Sequence, residues 1–292
     1  MLRKLTSALV LFFATALALP AQTSIWKVSR GGNYLLIGGS PSVIRHKDYP
    51  LPVEFDRAVD LAATVYLELD MERLWGRGVH PLIESRGLYH DGTTIDKVLT
   101  PKAWQGVRDY AQKHGLPTAR LLNRKTPLIV SAIYSFARFD LGAAETDLDA
   151  YVYHRAHEAG KPLHSLEPLE HRLEAHLSAG AGHESEWVLA VLEEIKSLPQ
   201  EVPREIADWR AGNSSLGSIL LAEMHGDFPS EQGSVAQQVA ERNQSWLPVI
   251  DRLVTSPEIE FVLVDTIYLV GPHGLLASLR QNHCRVEQWR PD

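Results

Sequence analysis

The C-terminal part of the chain contains the stretch Glu260-Phe-Val-Leu-Val-Asp-Thr-Ile-Tyr268. Its apolar run from residue 261 to 264 is short and unbroken, which predicts a strand buried on both faces of a sheet. The Gly-Pro-His-Gly segment 271–274 then breaks the chain before a short predicted helix at 275–280. Because α/β proteins bind ligands at the carboxyl ends of such strands, we expect residues 265–268 to lie at a functional site.

The composition indicates a globular protein with a substantial core. The chain has 292 residues, of which 45% are hydrophobic, enough for one large domain or two small ones. Its net charge is −7, and no basic patch stands out that would neutralise phosphates. We therefore expect no nucleic-acid partner.

The first residues have the pattern of a targeting signal. Two basic residues at 3–4 precede an apolar run at 8–19, and either Ala16-Leu17-Ala18 or Pro20-Ala21 supplies a cleavage site. This run is shorter than the roughly 20 residues that span a bilayer, so cleavage is favoured and an uncleaved anchor is the alternative. We predict a signal peptide at 1–21, a single mature domain at 22–292, a periplasmic or secreted location and no stable membrane insertion after cleavage.

The sequence contains one cysteine, Cys284. A single cysteine cannot form an intrachain disulfide, so the fold must be stable in an oxidising compartment through its core alone. We interpret Cys284 as a small buried hydrophobic residue beside Val286 and not as a nucleophile.

Both ends of the mature chain show the order strand, glycine-containing loop, helix, strand, at Tyr34 to Leu69 and at Phe261 to Trp289. A Gly-Gly turn at 31–32 joins the first of these strands to a preceding one as a β-hairpin. We predict a helix-rich α/β fold with a central mixed β-sheet from the two units and a helical insertion. The loops after Ile37 and Val264 should then face each other across one cleft, and Glu68 could join them.

The helical insertion is predicted from amphipathic periodicity and from helix-terminating residues. An earlier helix should begin near Pro52 and run from 53 to 63, before a strand at 64–69. The remaining predicted helices are at 101–113, 127–139, 147–159, 167–179, 185–197, 205–210, 216–223 and 235–253.

Seven short segments then suggest a family. They are, in order, Gly39-Ser40-Pro41-Ser42-Val43, Tyr49-Pro50-Leu51-Pro52, Tyr66-Leu67-Glu68-Leu69-Asp70, Gly160-Lys161-Pro162 with Leu166-Glu167, Trp209-Arg210-Ala211-Gly212, Arg242-Asn243-Gln244-Ser245-Trp246, and Asp265-Thr266-Ile267-Tyr268 continuing to Leu276. With these segments the chain resembles the TraB/GumN (PrgY) family, which is related to Tiki-type metalloproteases. The resemblance covers nearly the whole mature chain.

The resemblance implies catalytic roles for Glu68, Glu167 and Arg242, and it places Glu167 in the cleft. Arg242 could clamp a carboxylate or Glu68 itself, and a structural ion pair is the other interpretation. Family members carry one histidine in the first loop and one in the closing loop, which are thought to bind a divalent metal together with the strand glutamate. Here Ser42 and Tyr268 occupy those positions.

The glycine that opens the family's closing motif is Asp265 here, so the implied metal site is Glu68, Ser42, Tyr268 and Asp265. Imidazoles bind Zn²⁺, Co²⁺ or Mn²⁺ at neutral pH, whereas a serine hydroxyl is a poor ligand and a phenol ionises only near pH 10. We therefore expect a divalent metal to be weakly held or absent. His46 or His273 could add a ligand, although both are interpreted as solvent-exposed loop residues.

Two other histidine clusters lie on predicted helices, and we interpret both as solvated helix faces. They lack the H-E-x-x-H spacing of zinc peptidases. They comprise His154, His157 and Glu158 in one, and Glu170, His171, Glu174 and His176 in the other.

These observations predict an exported protein with a degenerate metal site, catalytically weak or inactive, that binds a peptide or small ligand in its cleft. The first alternative is an active divalent-metal-dependent peptidase or hydrolase that uses substitute ligands. The second alternative is a structural or interaction protein.

Overall fold

The computed structural model describes residues 23–76, 78–213 and 235–291. The predicted signal peptide at 1–21 and the predicted helix at 216–223 lie outside these residues. None of the helices in the described ranges is long and apolar enough to cross a membrane.

Six strands form one mixed sheet in the order β4-β3-β5-β2-β1-β6. Strands β2, β3, β4 and β5 are mutually parallel, and β1 is antiparallel to both of its neighbours. This confirms the predicted helix-rich α/β fold with a central mixed sheet. The strands are β1 (Ile25–Arg30), β2 (Asn33–Ser40), β3 (Thr64–Leu67), β4 (Leu163–Ser165), β5 (Glu260–Asp265) and β6 (Arg285–Gln288).

Thirteen α-helices occur in the described part of the chain. They are α1 (Val53–Leu61), α2 (Met71–Trp75), α3 (Val79–Gly87), α4 (Ile95–Val98), α5 (Pro101–Lys113), α6 (Thr126–Asp140), α7 (Leu148–Glu158), α8 (Leu169–Ser178), α9 (Glu184–Glu194), α10 (Leu198–Arg210), α11 (Val235–Leu253), α12 (Thr266–Leu269) and α13 (Leu275–Gln281).

The predicted hairpin joins β1 to β2 through Gly31 and Gly32, whose φ angles are 61° and 95°. Side chains rarely adopt positive φ, and a two-residue turn with both φ values positive matches the twist of the flanking strands. The Gly-Gly pair therefore fixes the register of the hairpin.

The sheet buries both of its faces, as the unbroken apolar run at 261–264 predicts. All four of these residues are fully buried. Val262 and Val264 pack with α11, α12 and α13 on one face. Phe261 and Leu263 pack with α1, α7 and α10 on the other face. A third apolar cluster lies within α4, α5, α6 and α9, of which α5, α6 and α9 belong to the predicted helical insertion.

Some predicted boundaries were wrong. Strand β3 ends at Leu67 and not at 69, because Asp70 accepts a hydrogen bond from the backbone N–H of Arg73 and caps α2. Helix α10 begins at Leu198 although Pro203 lies inside it, so it is much longer than the predicted 205–210. Helix α1 ends at Leu61 instead of 63, with Pro52 at its N-cap.

The short strand β4 was not predicted, and neither were α2, α3 and α4. Because Leu163–Ser165 forms an edge strand of three residues, it is too short for a periodic pattern. The pairing of β4 with β3 keeps the backbone extended here, so the following helix, α8, begins at Leu169 and not at 167.

Candidate functional site

The carboxyl ends of the four parallel strands meet at one edge of the sheet. Ser40 in β2 lies opposite Asp265 in β5, so the first loop and the closing loop begin side by side. The hydroxyl of Thr266 donates to the carbonyl of Ser40 at 2.9 Å. A Cβ atom on Gly39 would lie 2.8 Å from that hydroxyl, so glycine allows the two loops to approach this closely.

Glu68 follows β3 directly and reaches the closing loop, as expected. Its Oε1 accepts a hydrogen bond from the backbone N–H of Asp265 at 2.6 Å. Its Oε2 accepts one from Nη2 of Arg172 at 2.8 Å. The Glu68 side chain is 12% exposed, so both carboxylate oxygens are engaged within a largely enclosed site.

Glu167 lies beside Glu68 because the pairing of β3 with β4 continues beyond the strands. The backbone N–H of Glu167 donates to the carbonyl of Glu68 at 3.2 Å. The Glu167 side chain is 4% exposed, and its Oε1 bonds to the guanidinium of Arg172. Arg242 Nε lies 3.4 Å from the same oxygen, and His171 Nδ1 lies 3.7 Å from the other. Arg172 therefore joins both glutamates.

Arg242 was expected to clamp a carboxylate or Glu68 itself. In the structure it pairs with Glu167, whereas the arginine that pairs with Glu68 is Arg172. Arg242 Nη1 also donates to the hydroxyl of Tyr268 at 2.5 Å. Burial and the nearby Glu68 raise the pKa of Tyr268 to about 12, against the opposite effect of the two arginines. The phenol is therefore protonated at neutral pH.

Ser42 is held by a carboxylate on α10. Its backbone N–H and its hydroxyl donate to the two oxygens of Glu205 at 2.7 and 2.5 Å. Arg138 donates to the Ser42 carbonyl at 2.7 Å. Burial raises the pKa of Glu205, which is 7% exposed, and the bonds from Ser42 partly offset this. The first loop is thus fixed toward α10.

Two further carboxyl groups titrate abnormally. Burial and Glu68 raise the pKa of Asp265 well above its usual range, while the N–H of Ile267 opposes the shift. Burial, Glu68 and Asp147 raise the pKa of Asp149 on α7 to about 7, while a hydrogen bond with Ser40 partly offsets this rise. These shifts show that the edge of the sheet is a crowded acidic environment.

We predict that Asp265→Asn stabilises the protein at neutral pH. The pKa of this carboxyl group is higher in the folded state than in the unfolded state. Such a group lowers the free energy of unfolding once the pH rises above its pKa in the unfolded chain. Asparagine carries no charge and can still accept the N–H of Ile267, which Asp265 Oδ1 accepts at 2.9 Å. Urea unfolding at pH 7.5 should show that the free energy of unfolding of the variant exceeds that of the wild type by about 0.5–2 kcal/mol, the usual range of one stabilising substitution. The gain should disappear toward pH 4, and a loss at pH 7.5 would contradict the prediction.

Sequence reasoning missed Arg172, Asp149 and Glu205. All three lie on helices, and only the packing of those helices brings them to the edge of the sheet. Asp149 follows the helix-capping Asp147 and looks like an ordinary first-turn acid. The local sequence therefore carried no specific signal for these residues.

The comparison with protein families shows the family of the chain. A model of the TraB/PrgY/gumN family matches residues 24–288. The chain belongs to this family. Comparisons with curated proteins and with solved structures found no match.

The implied metal ligands of this TraB/PrgY/gumN protein do not fit a divalent cation. No group of three or more His, Cys, Asp or Glu side chains in the described ranges is arranged to hold a metal. Both oxygens of Glu68 are already engaged, the phenol of Tyr268 is protonated, and the Ser42 hydroxyl bonds to Glu205. These three side chains and that of Asp265 therefore do not form a common coordination shell.

The other histidines agree with their interpretation as surface residues. His46 is exposed at the start of a short 3-10 helix and His273 is exposed in a loop, and His154 and His157 are exposed on α7. In the second cluster Glu170 pairs with Arg73, Glu174 pairs with Arg86, and the ring of His176 bonds to the hydroxyl of Ser131.

Proposed function

We propose that this TraB/PrgY/gumN protein is exported to the periplasm or secreted and that its cleft binds a peptide or small ligand. In this proposal the metal site is degenerate and the protein is catalytically weak or inactive. The observation that carries the proposal is the position of Arg172, whose guanidinium bonds to both Glu68 and Glu167.

The guanidinium provides the positive charge that a metal ion would otherwise bring to the two glutamates. Arg172 and Arg242 balance the charges of Glu68 and Glu167 within one hydrogen-bonded group. A planar guanidinium with several donors suits such a bridge between carboxylates better than a point charge. A divalent cation would have to displace Arg172 before it could reach either glutamate.

The cleft retains groups that recognise polar ligands. The hydroxyl of Tyr268 is a donor and acceptor held by Arg242, and carboxyl groups with raised pKa can donate as well as accept. Asp149 and Asp265 supply such carboxyl groups beside Glu68. Backbone amides and the termini of a peptide match this mixture of donors and acceptors, which supports a peptide or a small polar molecule as the ligand.

Metal analysis of the purified protein tests the degenerate site. We expect less than one equivalent of Zn²⁺, Co²⁺ or Mn²⁺ per chain after addition of the metal and gel filtration. We also expect no metal-stimulated turnover of a broad peptide library. A stoichiometric, tightly held ion would contradict the proposal. Metal-stimulated cleavage that disappears in Glu68→Ala would support an active metal-dependent hydrolase instead.

Ligand binding requires a separate measurement. Thermal unfolding in the presence of a peptide and metabolite panel should reveal compounds that raise the unfolding temperature of the wild type. The shift should shrink in Tyr268→Phe, which removes only the hydroxyl held by Arg242. If no compound shifts the transition, the interpretation as a structural or interaction protein replaces this one.

A further inference from the structure

The outer edge of strand β6 is unpaired in the described part of the chain. In the sheet formed by the described residues, β6 is the last strand, and its neighbour is β1. A strand at the edge of a sheet presents backbone N–H and C=O groups that can pair with another chain. Which residues of β6 present these groups depends on the hydrogen-bonding pattern between β6 and β1.

The contacts of β6 with β1 determine which backbone groups point outward. Trp289, just after β6, donates its backbone N–H to the carbonyl of Ile25 at 2.8 Å. Opposite residues of an antiparallel pair alternate between bonded and non-bonded pairs, so Lys27 and Glu287 form the next bonded pair. The backbone N–H and C=O of Val286, next to Glu287, therefore point away from β1. Within the described ranges neither of these two groups has a hydrogen-bond partner.

The side chains of β6 differ between the two faces of the sheet. Arg285 and Glu287 lie on one face and form an ion pair with 2.6 Å between Nη2 and Oε1. These side chains are 75% and 46% exposed, so water solvates both charges and the pair contributes little within one chain. Val286 is partly buried on the other face, where it packs against the cluster formed with α11, α12 and α13. The edge therefore has an apolar residue flanked by two opposite charges.

We propose that the β6 edge pairs with the β6 edge of a second copy of this chain and forms an antiparallel, two-fold symmetric dimer. The axis passes between the two copies of Val286, whose outward N–H and C=O groups exchange two hydrogen bonds. In this register Arg285 of each copy lies opposite Glu287 of the other, as an isologous interface requires. Opposite charges directly across an antiparallel pair stabilise it. The two six-stranded sheets then form one continuous sheet.

The charges of β6 select this register over the others. An axis centred on Arg285 or on Glu287 would place like charges directly opposite each other, with Cα atoms about 4.5 Å apart. An axis centred on Gln288 would pair the two strands through that residue only. An axis between two residues would place an outward-pointing residue opposite an inward-pointing one. Centring on Val286 pairs three residues of each strand and brings both pairs of opposite charges together.

The dimer leaves both clefts accessible. Strand β6 runs parallel to β2, since both are antiparallel to β1. When β6 pairs antiparallel with its copy, the β2 strands of the two chains point in opposite directions. The two clefts therefore lie at opposite edges of the continuous sheet. Dimerisation and ligand binding in the cleft are separate properties, so the failure of one would not decide the other.

Sedimentation equilibrium of the purified mature protein tests the proposal. The average mass should rise from that of one chain toward that of two as the concentration increases to several hundred micromolar. Proline lacks a backbone N–H and is tolerated at an edge strand where that group faces away from the sheet. Val286→Pro should therefore keep the circular dichroism spectrum of the wild type and weaken dimerisation at least about tenfold. A chain that stays monomeric throughout, or a dimer that this folded variant leaves unchanged, would overturn the proposal.

Charge variants test the register without altering the backbone, and they decide the question if the proline variant does not fold. Arg285→Glu and Glu287→Arg each give β6 two like charges, so each variant alone should dimerise about tenfold more weakly than the wild type at low salt. A mixture of the two variants should form heterodimers, because acidic positions then lie opposite basic ones. The double variant R285E/E287R should dimerise as the wild type does.

The matched control uses another exposed ion pair. Arg86 on α3 and Glu174 on α8 are 51% and 65% exposed. Arg86→Glu and Glu174→Arg make the same charge changes on these helices, so each should dimerise as the wild type does, and mixing them should not increase dimerisation. An equal increase on mixing would show a nonspecific charge effect. Dimerisation of the single β6 variants at the affinity of the wild type would show a different interface, and either result would refute the proposal.

Discussion

Replacing Arg172 with methionine is expected to lower the free energy of unfolding by about 3–5 kcal/mol at pH 7. The substitution keeps an unbranched side chain of similar length but removes the guanidinium that Glu68 and Glu167 share. Their side chains are 12% and 4% exposed, so two carboxylates would remain enclosed with far less compensation. Chemical denaturation of the purified variant measures the loss.

The matched control for this prediction is Arg73 on α2, which forms an exposed ion pair with the helix that carries Arg172. Arg73 pairs with Glu170 of α8, and the two side chains are 56% and 49% exposed. Arg73→Met should therefore cost only about 0–1 kcal/mol, because water solvates both charges. Similar losses in the two variants would mean that Arg172 is not the central counter-ion of the cleft.

Replacing Trp209 with alanine is expected to cost about 3–5 kcal/mol, the range for a large aromatic residue removed from a core. Trp209 is 1% exposed and stacks on Phe55 with 5.5 Å between the ring centres. Its indole N–H donates to the carbonyl of Gly39 at 2.7 Å. The substitution would thus leave a cavity and an unsatisfied carbonyl at the start of the first loop.

The same variant tests the link between the core and the cleft. Ser42 lies three residues beyond Gly39, so loss of the indole contact should also loosen the first loop. Trp75→Ala is the control, since Trp75 is 48% exposed and its removal should cost less than about 1 kcal/mol. Equal losses in the two tryptophan variants, measured by denaturant unfolding, would contradict the role assigned to Trp209.

Under the proposed function, the site keeps residues of the family framework while its metal chemistry is lost. The strand glutamate, Glu167 and Arg242 remain, but each takes part in contacts that include Arg172 or Tyr268. Arg172 is far along the sequence from Ser42 and Tyr268, the positions at which the resemblance implies histidines. Its effect on the site arises because α8 carries it to the end of β3, beside Glu68.

The sequence by itself determined the elements whose signals are local. The apolar run at 261–264 predicted a strand buried on both faces, and Gly31-Gly32 predicted the hairpin, because burial pattern and backbone freedom are properties of short segments. The seven short motifs, in their order along the chain, likewise indicated the family, and they include Glu68 and Asp265. Each of these inferences needed only a few neighbouring residues.

Only the tertiary structure decided how the cleft residues are connected. Arg172, Asp149 and Glu205 lie on three different helices, and their local sequences resemble those of ordinary charged helix positions. Their contacts with Glu68, Ser40 and Ser42 join residues that are far apart in the chain, so no local periodicity encodes them. The pKa shifts of Asp149 and Asp265 depend on burial and on charges from other elements, which exist only once the sheet and its helices have packed together.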